Sequence, residues 1–281
     1  MTSRIAVVTG GASGIGRAIA TALVLRGDTV TVADRDKDGA EQVAARLSEH
    51  GTAEAAALDV TDAEAVAALF AEVRGRHGRL DLVFNNAGIA VGGMTDELTL
   101  DHWNRTLDVN LRGVIHGVHA AYPIMLAQGH GHILNTASLA GLVPAPMMLP
   151  YTTTKHAVVG LSLALRAEAA AHGVRVSAIC PGFVDTPLLD NANPDLPATE
   201  AGSHAREAAL SVQRKLYTAE ALARDVLRGV DKNRALIVAP ASARAAWRGA
   251  RLSPEGAVRI AGRGIGRLRP RSAADKGEQR V

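Results

Sequence analysis

Short β-branched and apolar runs alternate along the chain with longer stretches in which apolar side chains recur every three or four positions. The short runs, residues 5–8, 29–33, 53–58, 82–85, 132–136, 175–179 and 236–239, are predicted strands. Between the first two, Ile15, Ile19, Leu23 and Val24 fall on one helical face, and Ala65, Leu69 and Val73 do the same between the third and fourth. Residues 101–128 and 151–172 each read as one long helix. Strands that are apolar throughout belong in a sheet covered on both sides. Right-handed crossovers then predict an α/β fold: a doubly wound parallel sheet of about seven strands with helices on both faces.

Two segments break this alternation. Residues 187–217 carry Pro194, Pro197 and mixed polarity after the sixth strand, at the sheet edge where ligands bind, and are expected to form a substrate lid within a 1–240 domain. Residues 241–281 form a basic appendage, expected to be helical at first and disordered after Pro270. Ala243, Ala246, Trp247 and Ala250 follow the i, i+3, i+4, i+7 pattern of an amphipathic helix, interleaved with Arg244, Arg248 and Arg251. Arg259, Arg263 and Arg267 form a second stripe, but Gly262, Gly264 and Gly266 argue for flexibility there.

Charge sharpens that division. Residues 1–240 hold 21 basic and 25 acidic side chains, whereas 241–281 hold 10 and 3, so the net +3 describes the tail and not the body. A slightly acidic body argues against nucleic acid as a partner. The tail fits packing on the body or a neighbouring subunit, with contact to an anionic membrane as the sharper alternative. The 281 residues are 47% hydrophobic with mean hydropathy +0.07, and no apolar run approaches the ~20 residues that span a bilayer. The first strand starts too early to leave room for a signal peptide, and Cys180 is the only cysteine, so no intrachain disulfide can form. A cytoplasmic location is expected.

Candidate chemistry gathers at the strand ends. The first strand runs into Thr9 and then Gly10, Gly14 and Gly16, with Ser13 and Ile15 between them. Glycines in a strand-to-helix turn permit close approach of a pyrophosphate, and the following helix directs free N–H groups at it. Asp34 ends the second strand, where a carboxylate accepts from ribose hydroxyls and repels a 2′-phosphate, favouring NAD over NADP. Arg35 pulls the other way, because an arginine can accommodate that phosphate. Tyr151 and Lys155 lie four apart and share a helix face. Alone this spacing describes many solvated helices. Beside Ser138, at the end of the fifth strand, it becomes a phenol whose pKa of ~10 a neighbouring ammonium can lower by roughly one to three units.

In combination these motifs resemble the short-chain dehydrogenase/reductase family over residues 4–240. Thr9-Gly10-x-x-x-Gly14-x-Gly16 resembles its cofactor loop. Asp59-Val60 resembles the pair near the adenine, and Asn85-Asn86-Ala87-Gly88 the segment bracing the cofactor. Asn110, Ser138, Tyr151 and Lys155 fall where the family places its catalytic tetrad, and the resemblance gives Asn110 a water linking Lys155 to solvent. Pro181-Gly182, with Val184 and Thr186 beyond, resembles the turn that cradles the nicotinamide carboxamide. The resemblance implies a Rossmann-like, NAD(H)-dependent oxidoreductase that interconverts a secondary alcohol and a ketone, assembled as a homodimer or homotetramer. It leaves room for a cofactor-retaining epimerase or dehydratase, or a non-catalytic dinucleotide-binding protein. The tail departs from the family's usual ending. Leu139, Leu142, Val143, Pro144, Met147, Met148, Leu149, Leu188 and Leu189 suggest apolar substrate walls, with Ser138, Met148, Tyr151 and Leu188 touching a hydrophobic small molecule.

Overall fold

The computed structural model describes residues 3–213 and 215–268. Its first half runs β1 (Ile5–Thr9), α1 (Gly14–Val24), β2 (Thr29–Asp34), α2 (Lys37–Ser48), β3 (Thr52–Ala57), α3 (Ala63–His77), β4 (Leu82–Asn85). The second runs α4 (Leu100–Leu107), α5 (Gly113–Gln128), β5 (Gly131–Thr136), α6 (Leu149–Ala169), β6 (Val174–Pro181). There follow β7 (Val184–Asp185), α7 (Glu200–Ser203), α8 (Ala205–Val212), β8 (Tyr217–Thr218), α9 (Ala219–Asp231), β9 (Leu236–Ala239), α10 (Ala241–Leu252) and α11 (Pro254–Leu268). The seven expected strands all form, within two residues of their predicted ends.

They pair in parallel in the order β3-β2-β1-β4-β5-β6-β9. The chain reverses its direction of sheet growth between β1 and β4, which opens a crevice at their carboxyl ends. Alternate side chains of one strand feed opposite layers. Ala6 and Val8 pack with Phe84, Ile19, Leu23 and Val226 on one side, while Ile5 and Val7 pack with Val83, Phe70, Val73 and Met125 on the other. Phe70 and Phe84 are fully buried, each contributing on the order of 2–3 kcal/mol.

Three departures from the sequence reading matter for the site. The segment read as one helix is interrupted by a π-helical turn over Asp108–Arg112, whose extra residue turns Val109 and Asn110 into the interior. Within residues 187–217, Asn193 ties the chain back to the segment after β4. Its backbone N–H donates to the Ala90 carbonyl, and its side chain bonds both the N–H and the carbonyl of Gly92 at 2.9 Å.

The third departure concerns the appendage. α11 is a continuous helix through the glycines read as flexible. Ser253 explains the change: its Oγ accepts from the Gly256 N–H at 3.2 Å, Pro254 opens the first turn, and half-buried Ala257 and Ala261 lie along the helix, which packs on α10. α10 is held to the body by buried Ala243 and by Trp247, which join the cluster around Val238 and Cys180. The expected disorder after Pro270 lies outside the described residues.

Candidate active site

The glycine loop spans the crevice between β1 and β4. Gly10 has φ +64, and a Cβ there would lie 2.8 Å from the Ala87 Cα. A Cβ on Gly16 would stand 2.0 Å from the Gly10 carbonyl oxygen, so the loop folds over α1 only because Gly16 has none. Ser13 precedes α1 without capping it through its side chain, leaving the first-turn N–H groups and the positive helix end available to an anion. Asn86 braces this corner: its Nδ2 donates to the carbonyls of Thr9 and Gly10 at 3.0 and 3.3 Å, and its Oδ1 accepts from Thr136 Oγ1 at 3.2 Å.

At the end of β2, Asp34 accepts from the Ala12 N–H at 3.0 Å, which fixes the carboxylate beside the loop. Arg35 is drawn to Asp195 at 3.5 Å. Partial burial would raise the Asp59 carboxyl, but hydrogen bonds from Thr61 and the charges of Arg105 and Arg35 outweigh it and hold the group below its ordinary value.

Across the crevice, Pro150 opens the first turn of α6 and sets Tyr151 and Lys155 one turn apart. Ser138 leads into a 3₁₀ turn, Leu139–Gly141, with its Oγ accepting from the Ala140 N–H at 3.1 Å. Gly141 lets that turn press on α6, because a Cβ there would lie 2.4 Å from the Lys155 carbonyl oxygen. The strand end carrying Ser138 and the helix start carrying Tyr151 are thereby brought together.

Lys155 is buried and donates from Nζ to the Thr136 carbonyl at 2.8 Å, with Nζ 5.4 Å from the centroid of the Tyr151 ring. Burial lowers its pKa to about 8, partly opposed by Cys180. The Tyr151 phenol is raised above its ordinary value, chiefly by burial, while a hydrogen bond to Ser138 pulls it down and Cys180 pushes it further up. This differs from the sequence reading, in which the ammonium lowers the phenol's pKa. The ammonium lies over the ring, and desolvation dominates. Cys180 is a buried thiol pushed up to about 12 by desolvation, consistent with a structural role.

One cavity of about 300 Å³ joins these parts. Of the residues singled out in the sequence, its lining includes Gly10, Ser13, Gly14, Ile15, Asp34, Arg35, Asp59, Val60, Asn86, Ala87, Gly88, Tyr151, Lys155, Pro181, Thr186 and Leu188. Of the candidate catalytic, cofactor and substrate-touching residues, Gly16, Asn110, Ser138, Met148, Gly182 and Val184 are not part of the lining. Gly16 is buried against Gly10, and Ser138 hydrogen-bonds the Tyr151 phenol without lining the cavity. Asn110 spends both amide atoms on Ile89, accepting from its N–H at 2.8 Å and donating to its carbonyl at 2.9 Å. Its side chain thus braces the cavity wall. Val184 packs into the core, Gly182 lies against Ala243 and Pro240, and Met148 precedes α6. Leu139 and Leu142, read as substrate walls, pack against the cluster around Cys180. Asn191 and Pro194, from the segment expected to form a lid, also line the cavity, and Arg105 and Val109 line it without having been anticipated. Val109 follows from the π-helical turn, which has no sequence signature.

The chain belongs to the short chain dehydrogenase family, whose model matches residues 4–197. It carries the Rossmann-like dinucleotide-binding fold of these oxidoreductases. It is 39% identical over 194 residues to an uncharacterized oxidoreductase of Staphylococcus aureus strain MW2, a match covering 69% of this chain and 84% of that protein. A solved short chain dehydrogenase/reductase from Burkholderia phymatum, in complex with NAD, superposes with a TM-score of 0.82 at 31% identity, covering 90% of this chain and 94% of the other. Levodione reductase superposes with a TM-score of 0.76, also at 31% identity, over 85% of this chain and 95% of its own.

Proposed function

We propose that the protein is an NAD(H)-dependent oxidoreductase that interconverts a secondary alcohol and a ketone on a hydrophobic small molecule. The observation that carries this reading is the single cavity running from the glycine loop to Tyr151 and Lys155. Its residues fit a dinucleotide: an uncapped helix end for the pyrophosphate, Asp34 for a ribose, and a cavity wall formed by Gly88, Tyr151 and Lys155 for the reactive ring. When bound, the nicotinamide supplies or accepts the hydride. In oxidation, the Tyr151 phenolate takes the hydroxyl proton of the alcohol; in reduction, the phenol returns it to the forming alkoxide. Ser138 holds the substrate oxygen beside that phenol. The Lys155 charge over the ring favours the phenolate without outweighing the burial that raises the phenol. Asn110 positions the segment after β4 through Ile89.

Asp34 and Ser13 favour NAD over NADP, and Asp195 reinforces them by engaging Arg35, the group that would otherwise meet a 2′-phosphate. Val109, Pro187 and Leu188 in the lining support an apolar substrate. In an NADH-absorbance screen of alcohols and ketones, alicyclic and terpenoid secondary alcohols are expected to react with NAD, and more slowly with NADP. Activity confined to polyols, or preference for NADP, contradicts these assignments.

The pKa directions set the pH dependence. Oxidation needs the phenolate, and burial raises the phenol, so kcat/KM for oxidation should climb from about pH 7 to about pH 9 while that for reduction, which needs the protonated phenol, stays level. Lys155 is half-neutral at about pH 8, so the climb should be shallower than ten-fold per pH unit. Initial rates across that range measure it; an oxidation limb that is flat or falls with pH removes Tyr151 as the base.

A further inference from the structure

The C-terminal helices carry charge that the cavity does not use. α10 lies beside β9, the end strand of the sheet, held there by Ala243, Trp247 and an Arg244 Nη1 bond to the Val238 carbonyl at 3.0 Å. At its foot is a groove of about 410 Å³ lined by Arg228, Lys232, Arg234, Arg244 and Arg248, with Asp225 its one acidic group. Asp225 is already engaged by Arg228 and by the Tyr217 hydroxyl. Lys232, Arg234 and Arg248 have no carboxylate partner among the described residues.

Apolar side chains lie uncovered on the same helices. Leu252 follows Arg248 by four residues, shares its face of α10, and is 88% exposed. On α11, Val258 and Ile260 are 59% and 70% exposed, flanking Arg259. We propose that α10, α11 and the groove beside β9 form a docking surface for an anionic phospholipid bilayer. Headgroup phosphates occupy the basic groove, and Leu252 enters the interface with Ile260, on one flank of α11; Val258 lies on the opposite flank of that helix.

Charge complementarity selects this occupant and its orientation. Residues 241–281 hold 10 basic against 3 acidic side chains, whereas the preceding 240 hold 21 against 25, so an anionic surface attracts the tail and repels the body. A nucleic acid would meet the same charges but gain nothing from the aliphatic side chains of Leu252 and Ile260.

The test uses the full chain in sedimentation with phosphatidylcholine vesicles, with and without phosphatidylglycerol. Partition is expected only onto the phosphatidylglycerol vesicles, falling as salt is raised. Arg234→Gln with Arg248→Gln should weaken it about 25-fold, roughly five-fold per charge. Leu252→Asp with Ile260→Asp should weaken it at least about ten-fold. Circular dichroism and thermal unfolding of these surface variants verify that the fold is kept. The proposal fails if the protein does not sediment with phosphatidylglycerol vesicles or binds neutral ones equally. Retention on duplex DNA that ignores Leu252→Asp and Ile260→Asp would assign the groove to nucleic acid instead. A drop in oligomeric state on those substitutions, without vesicle binding, would assign the face to a second copy of the chain.

Discussion

Replacing Tyr151 with Phe should lower turnover by about 10³-fold while leaving cofactor affinity within about two-fold of the parent, because only the proton-exchanging oxygen is lost. The ring stays in α6, and Lys155 keeps its bond to the Thr136 carbonyl and its place over the ring. Removing one buried hydroxyl costs on the order of 1 kcal/mol of stability, too little to mimic a catalytic loss by unfolding. Turnover in the oxidative direction and NADH titration by fluorescence separate the two effects. A variant that retains more than about a tenth of parental turnover would mean that another group moves the proton.

Gly16→Ala should raise the dissociation constant for NADH at least about 100-fold, equivalent to about 2.7 kcal/mol. The added methyl would lie 2.0 Å from the Gly10 carbonyl oxygen and 2.6 Å from Asn86 Nδ2, the atom that pins the end of β1. The loop must lift off α1, carrying the pyrophosphate site with it. Overpacking of this kind also destabilises by about 1–3 kcal/mol, so a second variant is needed to isolate binding. Gly117→Ala provides it: its methyl would meet Asn85 Oδ1 at 1.9 Å, and Gly117 is not part of the cavity lining. The expected result is a lowered unfolding midpoint for both and a large loss of cofactor affinity for Gly16→Ala alone. Equal affinity losses would reduce the glycine effect to general destabilisation.

The strands and the doubly wound class of the sheet were legible because burial on both faces writes continuous apolar runs, and right-handed crossovers leave few topologies to choose from. The glycine loop and Asp34 were legible for a related reason: close backbone approach tolerates few residue types. The π-helical turn was not legible. It leaves the helical periodicity of residues 101–128 nearly intact while rotating Asn110 inward, where its amide is satisfied by Ile89. The continuity of α11 was hidden by its glycines, whose low propensity is overridden by a Ser253 cap and packing on α10.

The sequence by itself determined the sheet, the glycine turn, and the spacing that puts Tyr151 and Lys155 on one helix face, since each depends on local sterics or periodicity. The tertiary structure alone decided how that pair is tuned. Burial raises the phenol and lowers the ammonium to about 8 because the walls that desolvate them come from β5, β6 and the turn after Ser138. Likewise, only the fold brings Asp195 to Arg35 and the arginines of α9 and α10 around one groove. Electrostatic free energy depends on distance and solvent access, and neither is written in the order of residues.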